Sequence, residues 1–162
     1  TQRPQPLPQD PFVEVYFNHS ESSEYIEPYR NQRRSGDDLE QVIVDAIASA
    51  NSTIDLAVQE FRLPQIAQAL AERKKAGVKV RVILENTYSR PFSSFTEAEV
   101  AKLPERERDR YHEFRQLVDE NQDNQITPDE INQSDALIVL KNAGIPIIDD
   151  TADGSKGSSL MH

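Results

Sequence analysis

Apolar and polar residues alternate in FVEVYFN, residues 12–18: Val13, Val15 and Phe17 face one way, Glu14 and Asn18 the other. A two-residue period of this kind predicts a strand. HSESSEYIEPYRNQRRSG, residues 19–36, has no period and predicts a loop. The period then lengthens. Leu39, Val42, Ile43, Ala46, Ile47 and Ala50 share one helical face, and Asp37 or Asp38 can cap its start. Ile54, Leu56 and Val58 alternate as a second strand. LPQIAQALAERKKAG follows as a helix, with Pro64 in its first turn and Gly77 as its stop. VKVRVIL is a strongly apolar third strand.

Strands separated by helices predict an α/β fold: a mostly parallel sheet with helical crossovers, the strands after the first running parallel. The pattern breaks between about Tyr88 and Gln133, where the chain is polar, charged and helical in period. It resumes at SDALIVLKNAGIPIID with a helix ended by Gly144 and a short strand. The expected organisation is a flexible linker over 1–11, an α/β domain over 12–87 and 134–162, and a helical insertion over 88–133. DDTADGSKGSSLMH closes the sequence as a small-residue loop ending in an apolar pair and His162.

Composition changes this picture little. One core fits in 162 residues of which 36% are hydrophobic. No apolar run approaches the ~20 residues of a membrane span, so no transmembrane segment is expected. The absence of cysteine excludes disulfides and thiolate metal sites. A net charge of −10 argues against a broad nucleic-acid-binding surface but leaves room for a small phosphate site. Much of that charge lies near residues 97–135. The Pro/Gln-rich start reads as a tether or a disordered end.

The insertion carries the most specific chemistry. DENQDNQITPDE, residues 119–130, has the length of a calcium loop. Such a loop offers oxygen ligands at positions 1, 3, 5, 7, 9 and 12. Those positions are Asp119, Asn121, Asp123, Gln125 through its carbonyl, Thr127 directly or through water, and Glu130 as the closing bidentate carboxylate. Ile126 is the inward apolar residue. The whole loop resembles the EF-hand family, which implies bound Ca2+ in a structural or regulatory role. Asn124 stands where that family has glycine, a position that asks for the left-handed conformation asparagine tolerates. The chain has one such loop, whereas EF-hands usually pair. An acidic solvated loop is the alternative.

Outside the insertion, STIDLAVQEFRLPQIAQALAERKKAGVKVRVILEN followed by ALIVLKNAGIPIIDD, a small-residue loop and the terminal MH resembles the phospholipase D superfamily, in particular its small endonuclease-like branch. Residues 12–87 and 134–162 carry the resemblance. It implies that His162 opens the motif H-x-K-x-x-x-x-D and is the nucleophile of a phosphohistidine intermediate, with no cofactor required for catalysis. A second histidine would protonate the leaving oxygen, and lysines would hold the phosphoryl oxygens. The sequence stops at His162, so the motif's lysine and aspartate are not among its residues, and these 162 residues alone are expected to be inactive. The implied substrate is a phosphodiester, nucleic acid or phospholipid. A second catalytic half would come from a homodimer or a C-terminal region.

Other polar residues read more simply. His19 and His112 fit a loop and a solvated helix face. Glu85 and Asn86 follow the third strand, where open α/β sheets place ligands, though capping serves as well. Arg30, Arg33 and Arg34 offer a phosphate contact or a solvated loop; Lys74, Lys75, Lys79 and Arg81 read as exposed positions. A non-catalytic calcium-binding interaction module on an α/β scaffold is the main rival. A receiver-like domain is a weaker one, because the first strand end lacks an acidic cluster. No compartment is indicated, although the tether and calcium loop fit an exported or surface-anchored protein.

Overall fold

The sheet is built from strands whose side chains alternate cleanly. In the computed structural model, which describes residues 2–152 and 154, β3 (Thr53–Val58), β4 (Lys79–Leu84) and β5 (Ile147–Asp149) lie in the order β3-β4-β5, all parallel. Val58 pairs with Leu84, and Leu84 with Asp149, so the three strands end level. Helix α1 (Leu39–Ser49) precedes β3, α2 (Pro64–Lys75) lies between β3 and β4, and α6 (Ala136–Asn142) leads into β5. Both crossovers run in the same direction across the sheet, so right-handedness puts their helices on one face. Val80, Val82 and Leu84 are buried there with Ala67 and Leu70 of α2 and Leu140 of α6. On the opposite face Ala57, Ile83 and Ile148 form one register row and stay exposed, beside the paired Asp55 and Arg81.

The helix ends follow local chemistry. Asp38 caps α1, accepting from the Gln41 amide at 3.1 Å. Pro64 opens α2, where its missing N–H is no loss. Gly77 stops α2 at φ 92° and Gly144 follows α6 at φ 66°. The face of α1 departs from its period: Ile47 is buried, but Ile43 and Ala46 are exposed, while Val44 packs on the core. α1 packs against α2, and that neighbour selects a face rotated from the expected one.

Two expectations at the start of the chain are corrected. Residues 12–18 are not a strand. The Gln9 side chain takes both backbone groups of Val15, donating to its carbonyl at 2.9 Å and accepting from its amide at 3.0 Å. That leaves them unavailable to a strand partner, and Phe12, Val13 and Phe17 are exposed. Residues 19–36, expected as a loop, contain an antiparallel hairpin of β1 (Glu24–Glu27) and β2 (Gln32–Ser35). Its four-residue turn is held by the Glu27 carboxylate, which accepts from the amides of Tyr29 and Arg30, and by Asn31 at φ 53°. A short hairpin so rich in charge carries no apolar alternation to read.

Beyond β4 the chain passes through two single 3-10 turns (Asn86–Tyr88 and Phe92–Ser94) and continues as α3 (Glu97–Val100), α4 (Glu105–Val118) and α5 (Pro128–Ser134). Phe92, Tyr111 and Phe114 pack ring against ring, and Phe114 and Val118 are buried. α5 reaches α6 across one residue, Asp135, which ends the first helix and caps the second.

Candidate functional site

The carboxyl ends of parallel strands are where open α/β sheets gather ligands. Here β3 runs into Gln59 and Glu60, β4 into Glu85 and Asn86, and β5 into Asp150. Glu85 is buried and accepts from the Gln59 side-chain amide at 3.0 Å. The Asn86 amide donates to Asp150 at 2.9 Å, tying the end of β4 to the segment after β5. Glu85 and Asn86 thus stand at the sheet end as expected, and both help join neighbouring strand ends. The Asp149 carboxyl is held below the usual range by the Thr151 hydroxyl and amide, which donate to it.

Beside this end is a cavity of about 170 Å³ between the sheet and the segment after β4, with Phe92, Phe95 and Phe114 on its wall. Glu60 lines it, half-buried, with Arg62 Nε 2.9 Å from one carboxylate oxygen and Arg110 Nη1 3.5 Å from the other. The oxygen beside Arg62 accepts no hydrogen bond, so that contact is an ion pair alone. Burial pushes the Glu60 carboxyl up, against the pull of Arg62 and Arg110. Arg62 also donates to the Arg110 carbonyl at 3.3 Å. Sequence reading missed this cluster. Its one signal was a charged pair flanking Phe61 directly after an apolar strand.

The 119–130 loop joins α4 to α5 and folds on its own side chains. Asp119 accepts from the amides of Asp123 (3.1 Å) and Asn124 (2.9 Å), Asn121 from Asp123 (2.9 Å), and Asp123 from Gln125 (2.7 Å). Gln122 and Asn124 adopt φ of 59° and 64°, the left-handed turn anticipated at Asn124. Thr127 caps α5 in a capping box with Glu130, whose Oε2 accepts from the Thr127 amide at 2.8 Å. These Thr127 contacts, the amide first, hold the Glu130 carboxyl below the usual range. Glu130 is 8% exposed, and its other oxygen, Oε1, is buried without a hydrogen-bond partner, although the backbone amides of Asn121 and Glu120 also favour the charged carboxylate.

A buried carboxylate oxygen with no partner is costly, and a hard cation is one group that would satisfy it. The oxygen-only donor set suits calcium. Among the described residues, however, no three acidic or histidine side chains converge closely enough to hold a metal as they stand.

The remaining candidates disperse. Arg30 lies across a cleft from Asp119, Gln122 and Asn124, away from the sheet end. Arg33 pairs with Glu24 and Arg34 donates to Gln32, so the three arginines form no cluster around one site. His19 and His112 are exposed. His162 lies outside the described residues. No described helix is long and apolar enough to cross a membrane.

Among known proteins, a family model described as "Cardiolipin synthase, PLD-like domain" matches residues 43–162, from within α1 to the last residue. No curated protein and no solved structure matches the chain. With the match spanning the parallel sheet and the segment between β4 and β5, the chain belongs to the phospholipase D-like domain family.

Proposed function

We propose that this chain is part of a phospholipase D-like phosphodiesterase, a nuclease or phospholipase, in which His162 attacks phosphorus to form a phosphohistidine. The observation that carries the reading is the family match, which extends through the α/β core to His162. The attack forms an N–P bond and expels one ester oxygen, which takes a proton from an acid group. Water then hydrolyses the N–P bond, so one difficult displacement becomes two easier ones. The second catalytic half comes from another copy of the chain or a C-terminal region.

The same reading gives the 119–130 loop a calcium ion. The ligands are the side chains of Asp119, Asn121, Asp123 and Glu130, the Gln125 carbonyl, and Thr127 directly or through water. Calcium there neutralises a concentration of carboxylates and holds the turn; it takes no part in the phosphoryl transfer. The unpartnered Glu130 Oε1 supports this assignment.

The test is phosphodiesterase activity of a chain extended well past His162, on nucleic acid and on phospholipid vesicles, compared with its His162→Ala variant. Hydrolysis abolished by the substitution is expected. Hydrolysis that survives it would remove His162 as nucleophile. No turnover of either substrate would favour the rival, a non-catalytic calcium-binding interaction module.

A further inference from the structure

We infer that the calcium loop is mechanically continuous with the sheet: ion binding at 119–130 is transmitted through α5 and the single residue Asp135 to α6 and the carboxyl end of β4. The inference rests on the calcium assignment above and adds what that ion would do.

Four observations carry it. Glu130 sits in the first turn of α5, so any ligand it takes acts directly on that helix. At the other end of α5 the buried Ser134 hydroxyl donates to the Glu120 carboxylate, which binds the helix end back to the loop start. The next residue, Asp135, is almost fully buried and works in three directions. It is the C-cap of α5, and its Oδ1 accepts from the Leu137 and Ile138 amides to cap α6. Its Oδ2 accepts at 3.3 Å from the Ser93 amide, in the segment that leaves β4. Finally, α6 is not peripheral: Leu137 and Leu140 are buried in the main core with Val82 and Leu84.

Contact with the core is not confined to the two ends of residues 88–133. Gln68 of α2 donates to the Gln133 carbonyl at 2.9 Å at one end, and midway along the segment Arg110 Nη1 of α4 lies 3.5 Å from Glu60 while Arg62 donates to the Arg110 carbonyl. Interiors transmit such displacements because they are close-packed. A rotation of α5 driven by closure of the loop on Glu130 must therefore move Asp135, and with it both the start of α6 and Ser93. Calcium would stabilise the carboxyl end of the sheet.

Backbone hydrogen exchange of the whole chain, in millimolar calcium, in magnesium and in chelator, tests this alongside calorimetric calcium titration. Calcium binding with slowed exchange in α6, β4 and β5 as well as in 119–134 is the expected result. Ser134→Ala should keep calcium affinity within a few-fold while reducing the protection that reaches α6 and β4. Binding with protection confined to 119–134 overturns the coupling and leaves the calcium assignment standing. No heat of binding overturns both. Glu130→Gln should weaken binding by roughly tenfold or more, because it removes the charged closing ligand.

Discussion

At the residue scale, the chain satisfies charge locally. Glu99 is the clearest case: Arg90 holds it at 2.9 and 3.1 Å, Thr96 donates to it, and together, Arg90 first, they depress its carboxyl to about 2. The sign follows from linkage. A carboxyl depressed on folding contributes stability above its ordinary value and loses that contribution as pH falls toward the folded value. The Arg90–Glu99 contribution is therefore intact at neutral pH and disappears between the ordinary carboxylate range and about 2. Carboxyl NMR titration should find Glu99 raised in Arg90→Ala but still below its ordinary value, because the Thr96 contacts remain, and a midpoint unmoved by the substitution would deny the pair its role. Because both groups are exposed, the effect on global stability is small. Gly36 shows a different local constraint. At φ 107°, with the Asn18 carbonyl carbon 2.5 Å from where a Cβ would sit, it lets residues 18 and 19 press against the end of β2.

At the element scale, the helices and parallel strands follow their periods, while faces and edges follow their neighbours. α1 makes the point measurable. Ile43 and Ile47 are one turn apart and equally apolar, yet Ile43 is 42% exposed and Ile47 is 8% exposed. Ile47→Ala should cost about 2–4 kcal/mol of unfolding free energy and Ile43→Ala about 1 kcal/mol or less, since only the first vacates packed volume. Denaturant melts check the order, and equal costs would return the helix to the face its period suggests. The hairpin and the lost strand differ from expectation for one reason, the destination of backbone hydrogen bonds. Gln9 holds the amide and carbonyl of Val15, while Glu27 and Asn31 shape a turn between two charged segments.

At the scale of the whole molecule, two features stand out. The sheet is parallel, an arrangement that usually has both faces covered, yet helices cover one face. Ala57, Ile83 and Ile148 remain exposed in a row on the other. Ile83→Ser should shift the melting temperature by only a few degrees, in keeping with the small cost of exposed substitutions. A loss comparable to that of Ile47→Ala would mean that the face is covered in solution. The second feature is the joining of residues 88–134 to the core, through Asp135 on one side of the cavity and the Glu60, Arg62 and Arg110 cluster on the other. It makes that segment part of the sheet's carboxyl end.

Much of the α/β core was legible in the residues. Ile54, Leu56 and Val58, the run from Val78 to Leu84, and Gly77 and Gly144 specify strands and helix stops through period and backbone freedom, both local properties. At Asn124, too, the left-handed turn was legible, because few residues other than glycine and asparagine tolerate that conformation. Local chemistry does not determine which face of α1 is buried, where the amide and carbonyl of Val15 find partners, or that Glu60 lies between arginines 2 and 50 residues away. Nor does it show that Asp135 serves three segments at once. Those outcomes depend on which surfaces meet across long stretches of chain, and only the tertiary structure decided them.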